Sequence, residues 1–278
     1  MKEFKCQNFS LELGKKTYIM GILNVTPDSF FDGGNYLDTK NAVLQAEKMI
    51  EEGADIIDIG AVSTRPFADR VSADEEWARL KDVLYEIRKR FDVPLSVDTF
   101  TPETAERCLL CGADIINDVS GAFVSEMAET VKKFNAGWII MHGGVLNAPS
   151  ETFCEYKNGI VNDVNDFFNK MLDSILAFGI NRKNICLDAG FGFSKTNEQN
   201  IELLQNYQLV EKNGLPLLCA LSRKRFIGEM TGAKEPCDRL AGTLAANVTA
   251  IIKGADIIRV HDIKMHKQSI DVLDRLYI

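Results

Sequence analysis

Asp98, Asn117, Asp188 and Lys224 each stand at or just beyond the end of a short apolar run. Two acceptors, an amide that both donates and accepts, and a cation suit a flat heterocycle whose edge carries amino, ring N–H and carbonyl groups. A second set, Asn24, Arg65, Arg259 and His261, suits phosphate or pyrophosphate, because guanidinium forks match phosphate oxygens in pairs. The implied ligand is a heterocycle joined to a phosphate ester. Any one of these residues could be an ordinary turn or helix-capping group. Their recurrence argues for a site, since Asp58, His142 and Ser222 also close such runs.

Positioning these side chains falls to eight apolar, β-branched runs: Tyr18–Leu23, Ala54–Gly60, Pro94–Thr99, Ala113–Val119, Gly137–His142, Asn184–Ala189, Pro216–Leu221 and Ala255–His261. Runs that are apolar throughout read as strands buried on both faces. Helix-length segments separate most of them, and Thr39–Gly53, Pro102–Gly112 and Asp163–Gly179 carry helical periodicity ending on a glycine. Eight strands alternating with helices predict an α/β fold, a single closed (β/α)8 or TIM barrel over residues 1–278, in which the strands' carboxyl ends build the active site. An open α/β sheet is the alternative. The phrase Gly-Ala-Asp-Ile-Ile recurs from Gly53, Gly112 and Gly254 and marks a helix end followed by a strand. Residues 3–18 read as a short N-terminal β-hairpin with Leu13-Gly14-Lys15 at or near its turn.

Composition narrows the partners. The chain has 278 residues, 46% hydrophobic and 26% charged, and 32 basic against 40 acidic residues give a net charge of −8. Nucleic-acid binding draws its affinity from a basic face, so none is expected. No apolar run reaches the roughly 18–20 residues of a membrane span, and no membrane association is expected. Seven scattered cysteines do not make a disulfide framework, which points to a reducing, cytoplasmic setting. Cys108 and Cys111 lack a second pair at zinc spacing and read as packing residues. Ser222 lacks the context of a nucleophile elbow, Gly190-Phe-Gly-Phe193 lacks the dinucleotide spacing, and His266, beyond the last strand, reads as a surface residue.

Seven motifs, in order, resemble dihydropteroate synthase: Met20-Gly-Ile-Leu-Asn-Val-Thr-Pro-Asp-Ser-Phe30, Ser63-Thr-Arg-Pro66, Ser96-Val-Asp-Thr99, Ile116-Asn-Asp118, Asp188-Ala-Gly-Phe-Gly-Phe193, Ser222-Arg-Lys224 and Arg259-Val-His261. The resemblance implies condensation of 6-hydroxymethyl-7,8-dihydropterin diphosphate with 4-aminobenzoate, using Mg2+, in a homodimer. It implies that Asp98, Asn117, Asp188, Lys224 and Arg259 bind the pterin. Thr64, Arg65, Pro66, Phe193 and Ser222 would meet the aminobenzoate. Asn24, Arg65, Arg259 and His261 would hold the diphosphate, with Asn24 also meeting the metal, and Asp98, Lys224, Arg259 and His261 would carry the chemistry.

The sequence departs from the family pattern at Ala189, where proline is usual, and at Phe67, where glycine follows the Thr-Arg-Pro triplet; Met141-His-Gly-Gly also lacks the usual Arg-Gly or Gln-Gly. Phe67→Gly is expected to change the aminobenzoate KM more than pterin affinity; equal changes would reject this. Two other readings compete: a folate-dependent methyltransferase, which would not require Asn24 with Arg259 and His261, and a pterin-binding paralogue without synthase activity.

Overall fold

The computed structural model describes residues 3–25, 34–62, 71–143, 153–210 and 214–277. A hairpin of β1 (Glu3–Cys6) and β2 (Phe9–Glu12) precedes the alternation of β3 (Tyr18–Asn24), α1 (Gly34–Glu51), β4 (Ile56–Gly60), α2 (Ala73–Arg90), β5 (Leu95–Asp98) and α3 (Pro102–Leu110). The chain continues through β6 (Ile115–Asp118), α4 (Ser125–Phe134), β7 (Gly137–Met141), α5 (Ile160–Phe178), β8 (Ile185–Asp188) and α6 (Asn197–Gln205). It ends with β9 (Leu217–Cys219), α7 (Arg225–Thr231), α8 (Leu240–Ile252), β10 (Ile257–Val260) and α9 (Ile263–Tyr277). Strands β3 to β10 pair in parallel and close, β10 against β3, into the expected eight-stranded barrel.

The recurring Gly-Ala-Asp-Ile-Ile phrase has a physical explanation. Gly53, Gly112 and Gly254 adopt φ of +104°, +103° and +105°, a left-handed conformation that glycine enters without a Cβ clash. The following alanine N–H groups return to carbonyls of the helix just ended, Ala54 to Met49, Ala113 to Cys108 and Ala255 to Ala250. Each aspartate then staples the neighbouring strand: Asp55 Oδ2 accepts from Ile19 N–H at 2.9 Å, Asp114 Oδ2 from Leu95 at 3.0 Å and Asp256 Oδ2 from Leu217 at 3.0 Å. Glycine and alanine close the helix and aspartate starts the barrel register. For this reason the strands begin two residues later than the apolar runs suggest.

The hairpin turns at Gln7 and Asn8, not at Leu13-Gly14-Lys15. Phe4, Cys6 and Leu11 must share one buried face, and that alternation fixes the pairing of Phe4 with Leu11. Gly14, at φ +85°, instead bends the link into β3. The hairpin stoppers the barrel's amino end: Phe4, Cys6, Leu11 and Leu13 pack with Met20, Ile56, Ile115, Ile139, Cys186, Leu218 and Ile257. Each of these last seven points inward from a different strand. A Cβ on Gly137 would lie 2.8 Å from Phe4 Cζ, so the stopper sits hard against β7.

Side chains alternate in and out along a strand, so two residues on from an inward residue points inward again. Two beyond Ile56, Ile115, Cys186 and Ile257 are Asp58, Asn117, Asp188 and Arg259. One end of the barrel is therefore filled with hydrocarbon and the other with polar groups. A second apolar layer lies between strands and helices and includes Ile57, Leu84, Val97, Leu109, Trp138 and Phe168. Cys108 belongs to it, while Cys111 caps α3 half-buried, and all seven cysteines are free thiols. His266 is 1% exposed, contrary to the sequence reading: its Nε2 meets Asn247 Nδ2 at 2.9 Å and its Nδ1 the Asp262 carbonyl at 2.7 Å. The helical period turns that face of α9 onto α8.

Candidate active site at the carboxyl end of the barrel

Register brings the strand-end residues together. Asn24 pairs with Gly60, Gly60 with Asp98, and Asp98 with Asn117, giving a row across β3, β4, β5 and β6. Gly60 leaves room in that row: a Cβ there would meet Asp98 Cβ at 3.5 Å, Asn24 Oδ1 at 3.8 Å and Asp98 Oδ2 at 3.9 Å. From β10, Arg259 reaches across the mouth, donating from Nε to Asp58 Oδ2 at 2.6 Å and from Nη2 to Asp98 Oδ2 at 2.8 Å. Asn117 Nδ2 donates to the same Asp58 oxygen at 3.3 Å.

The charges are largely withdrawn from water, Asp98 keeping 14% and Arg259 18% of its side chain exposed. Burial, reinforced by Asp58 and Glu76, pushes the Asp98 carboxyl up to about 7 against the pull of Arg259. Burial likewise raises Asp188, although Gly190 N–H donates to its Oδ1 at 2.8 Å. Lys224, the N-cap residue of α7, is brought down to about 8 by burial and the nearby Arg259 charge, with Asp188 and Asp98 opposing the fall. For Arg259, burial works against the charge but Asp58 and Asp98 outweigh it, so the guanidinium is held above its ordinary range. Lys224 Nζ lies 4.3 Å from the centre of the Phe193 ring, a cation–π contact that places this aromatic over the site.

Ser222 and His261 form a unit. His261 N–H donates to Ser222 Oγ at 3.2 Å, and Oγ lies 2.9 Å from His261 Nδ1. With Oγ donating to Nδ1, Nε2 carries the ring proton and is the N–H donor. Burial and the charges of Arg223 and Arg259 bring His261 down to about 4, so it is a neutral donor at pH 7. Arg223, beside Ser222, is tied to Asp262 by two bonds of 3.1 and 2.7 Å.

Of the expected site residues, Asn24, Asp98, Asn117, Asp188, Phe193, Ser222, Lys224, Arg259 and His261 all lie at the barrel's carboxyl end or in the loops that follow it. Thr64, Arg65, Pro66 and Phe67 fall outside the described residues, as does most of the segment after His142. His142 itself closes its strand but turns toward α5: its Nε2 is 3.1 Å from Asp163 Oδ1, beside a cavity of about 380 Å3 that Tyr156 and Phe167 help to line.

Two residues carry more than the sequence disclosed. Asp58 was visible as a strand-end acid without an assigned role. Lys195 gave no signal at all. It is 3% exposed, and its ammonium donates to the carbonyls of Gly190 at 2.8 Å, His142 at 3.2 Å and Phe193 at 3.2 Å. Burial brings it down to about 7. It pins the turn carrying the Asp188 clamp and Phe193, and its partners are backbone atoms, which leave no mark on residue types.

The sequence profile of the pterin binding enzymes matches residues 20–261. Barrel and polar mouth together thus define a pterin-binding enzyme. A dihydropteroate synthase from Synechocystis sp. is 41% identical over 265 residues, covering 95% of this chain and 91% of its own. Crystal structures agree. The Xanthomonas albilineans dihydropteroate synthase with 4-aminobenzoic acid superposes with a TM-score of 0.91 at 35% identity over 99% of this chain and 97% of its own. The Yersinia pestis enzyme in complex with a sulfonamide drug gives 0.91 at 35% identity over 99% and 98%. The chain belongs to the dihydropteroate synthase family.

Proposed function

We propose that this chain joins 6-hydroxymethyl-7,8-dihydropterin diphosphate to 4-aminobenzoate, releasing diphosphate and forming 7,8-dihydropteroate for folate synthesis. The observation that carries the reading is the bridge from Arg259 to Asp58 and Asp98 beside Asn117, Asp188 and Lys224. It sets donors and acceptors around a pterin edge with a cation at its face. Asp98, Asn117, Asp188, Lys224 and Arg259 bind the pterin in this scheme. Asn24, Arg259 and His261, with Arg65, take the diphosphate. Phe193 and Ser222, with Thr64, Arg65 and Pro66, take the aminobenzoate.

The bond from the pterin methylene carbon to the diphosphate oxygen breaks with its electron pair on oxygen, leaving a cation delocalised into the ring. The ionised Asp98 carboxylate, in a site of low dielectric, stabilises that charge as it forms. Arg259 and the His261 Nε2–H hold the departing anion. The aminobenzoate nitrogen, uncharged at neutral pH and needing no strong activation, then forms the carbon–nitrogen bond and sheds its proton to solvent.

Mg2+ fits this site. Asn24 offers a hard carboxamide oxygen, and its side chain stands exposed at the mouth, which suits an ion that keeps most of its waters and shares substrate phosphate oxygens. Bound there, the ion would neutralise charge on the leaving diphosphate.

We also place the protein in the cytoplasm as a homodimer. Its cysteines are free. Helix α8 carries no charge over Leu240–Ile252 and leaves Ile252 56% exposed, apolar surface that a second copy would cover.

The test is diphosphate release from the pterin diphosphate with Mg2+, with and without 4-aminobenzoate. Release dependent on aminobenzoate, with dihydropteroate as product, is expected. Pterin binding without condensation would favour the paralogue reading instead.

A further inference from the structure

Arg259 is one cation between two carboxylates, and the two differ in access. Asp98 leaves 14% of its side chain exposed at the mouth, whereas the Asp58 side chain has none exposed. Asp58 Oδ2 accepts from Arg259 Nε at 2.6 Å and from Asn117 Nδ2 at 3.3 Å. Asp58 Oδ2 is taken up by these two groups, through which it acts on the mouth, while its Oδ1, like that of Asn117, is buried without a partner. By accepting from the Asn117 amide nitrogen it decides which end of that amide is which, leaving Oδ1 without a protein partner. With Asp98 likewise an acceptor, this corner of the mouth is matched to donors on a ligand edge.

We propose that Asp58 is a positioning residue that retains Arg259 when substrate enters, freeing the Asp98 carboxylate for the pterin while fixing the Asn117 amide as an acceptor. The inference rests on the pterin reading given above. With a second carboxylate at Nε, Arg259 has a partner to stay on when Asp98 turns to the ligand. Without the Asp58 charge, the guanidinium fork closes on Asp98 as its sole partner, a bidentate pair the pterin must break. Glu76 and Lys224 also face Asp98 and stay unchanged.

The test uses Asp58→Asn, which keeps the side chain's shape and leaves Arg259 one counter-charge, so the fold is expected to persist; thermal unfolding checks this. Binding of 6-hydroxymethyl-7,8-dihydropterin diphosphate is measured by calorimetry without aminobenzoate. Its Kd is expected to rise about tenfold or more, with the aminobenzoate KM unchanged within about twofold. In an Asp98→Asn background the Asp98 carboxylate on which Arg259 would close is gone, so adding Asp58→Asn is expected to change Kd by less than about threefold, a smaller loss than in the wild-type background. An equal loss in both backgrounds, or a loss shared by both substrates alongside a lowered Tm, would overturn the proposal in favour of a structural role. Should Asp58→Asn not fold, Asp58→Ser carries the same comparison. Wild-type protein that binds the pterin diphosphate without making dihydropteroate would sink the synthase reading and leave the Kd comparison intact. Wild-type protein that makes dihydropteroate with no difference between backgrounds would sink only the role of Asp58.

Discussion

Asp98 is the residue on which fold and chemistry meet: the register of β5 puts it beside Arg259, and burial makes its charge costly enough to respond to a developing cation. Asp98→Asn keeps the shape and loses the charge; kcat is expected to fall about a hundredfold, roughly 3 kcal/mol by analogy with a single preorganised donor, with the fold retained by circular dichroism. A near-native kcat would mean that another group stabilises the cation. The same environment sets a pH dependence. Asp98, raised to about 7, must be ionised, so kcat/KM for the pterin substrate should climb as pH rises through that value. Lys224, lowered to about 8, must be protonated, so the profile should turn down above it. A flat profile from pH 6 to 9 (roughly the span of these two limbs) would reject both assignments. Asp98, Asn117, Asp188, Lys224 and Arg259 were legible because a polar residue ending an apolar run is conspicuous in a barrel sequence. His266 was misread because position beyond the last strand says nothing about which face of α9 it occupies.

At the scale of elements, the two ends of the barrel ought to fail differently. Gly190 follows the Asp188 clamp at φ +66°, and a Cβ there would lie 2.0 Å from the His142 carbonyl oxygen, the acceptor that Lys195 also uses. Gly190→Ala must therefore displace the turn that holds Asp188 and Phe193. Pterin affinity and the aminobenzoate KM are both expected to worsen by about tenfold or more, since a displacement of about 1 Å near the chemistry is costly. At the opposite end, Asp114 is buried, bonded to Leu95 N–H and paired with Arg88 at 2.5 Å. Asp114→Ala takes the carboxylate from Leu95 N–H and leaves the Arg88 guanidinium with only the carbonyls of Gly112, Phe91 and Val93; it is expected to lower stability by about 3 kcal/mol, read from urea unfolding, with both KM values unchanged. The opposite pattern in either variant would show that the division between a stapling end and a working end is wrong. The sequence repeated the staple three times, and so the barrel could be read from it. It held no comparable repeat for the hairpin, whose turn depended on which residues the barrel's amino end could bury.

For the molecule as a whole, acid stability tests the burial of its histidines. Desolvation brings both His142 and His261 down to about 4, the first aided by Lys195 and the second by Arg223. An unfolded histidine titrates near 6.5. Between these values the unfolded chain binds more protons than the folded one, so stability present above about 6.5 is lost as pH falls toward 4. Each imidazole contributes roughly 3 kcal/mol to that loss. Asp98, Asp114, Asp118 and Asp188 work the other way, because burial raises each and the folded chain holds their protons longer. The net curve mixes both signs, so the histidine contribution must be read as a difference between proteins. His142→Gln removes one titrating group outside the pterin site while keeping a partner for Asp163. Urea unfolding of wild type and variant at about pH 7 and pH 4 should show the wild type losing roughly 2–3 kcal/mol more than the variant between the two. Equal losses would mean that His142 is open to water when folded, and that the wall it forms with Tyr156, Asp163 and Phe167 is not closed in solution.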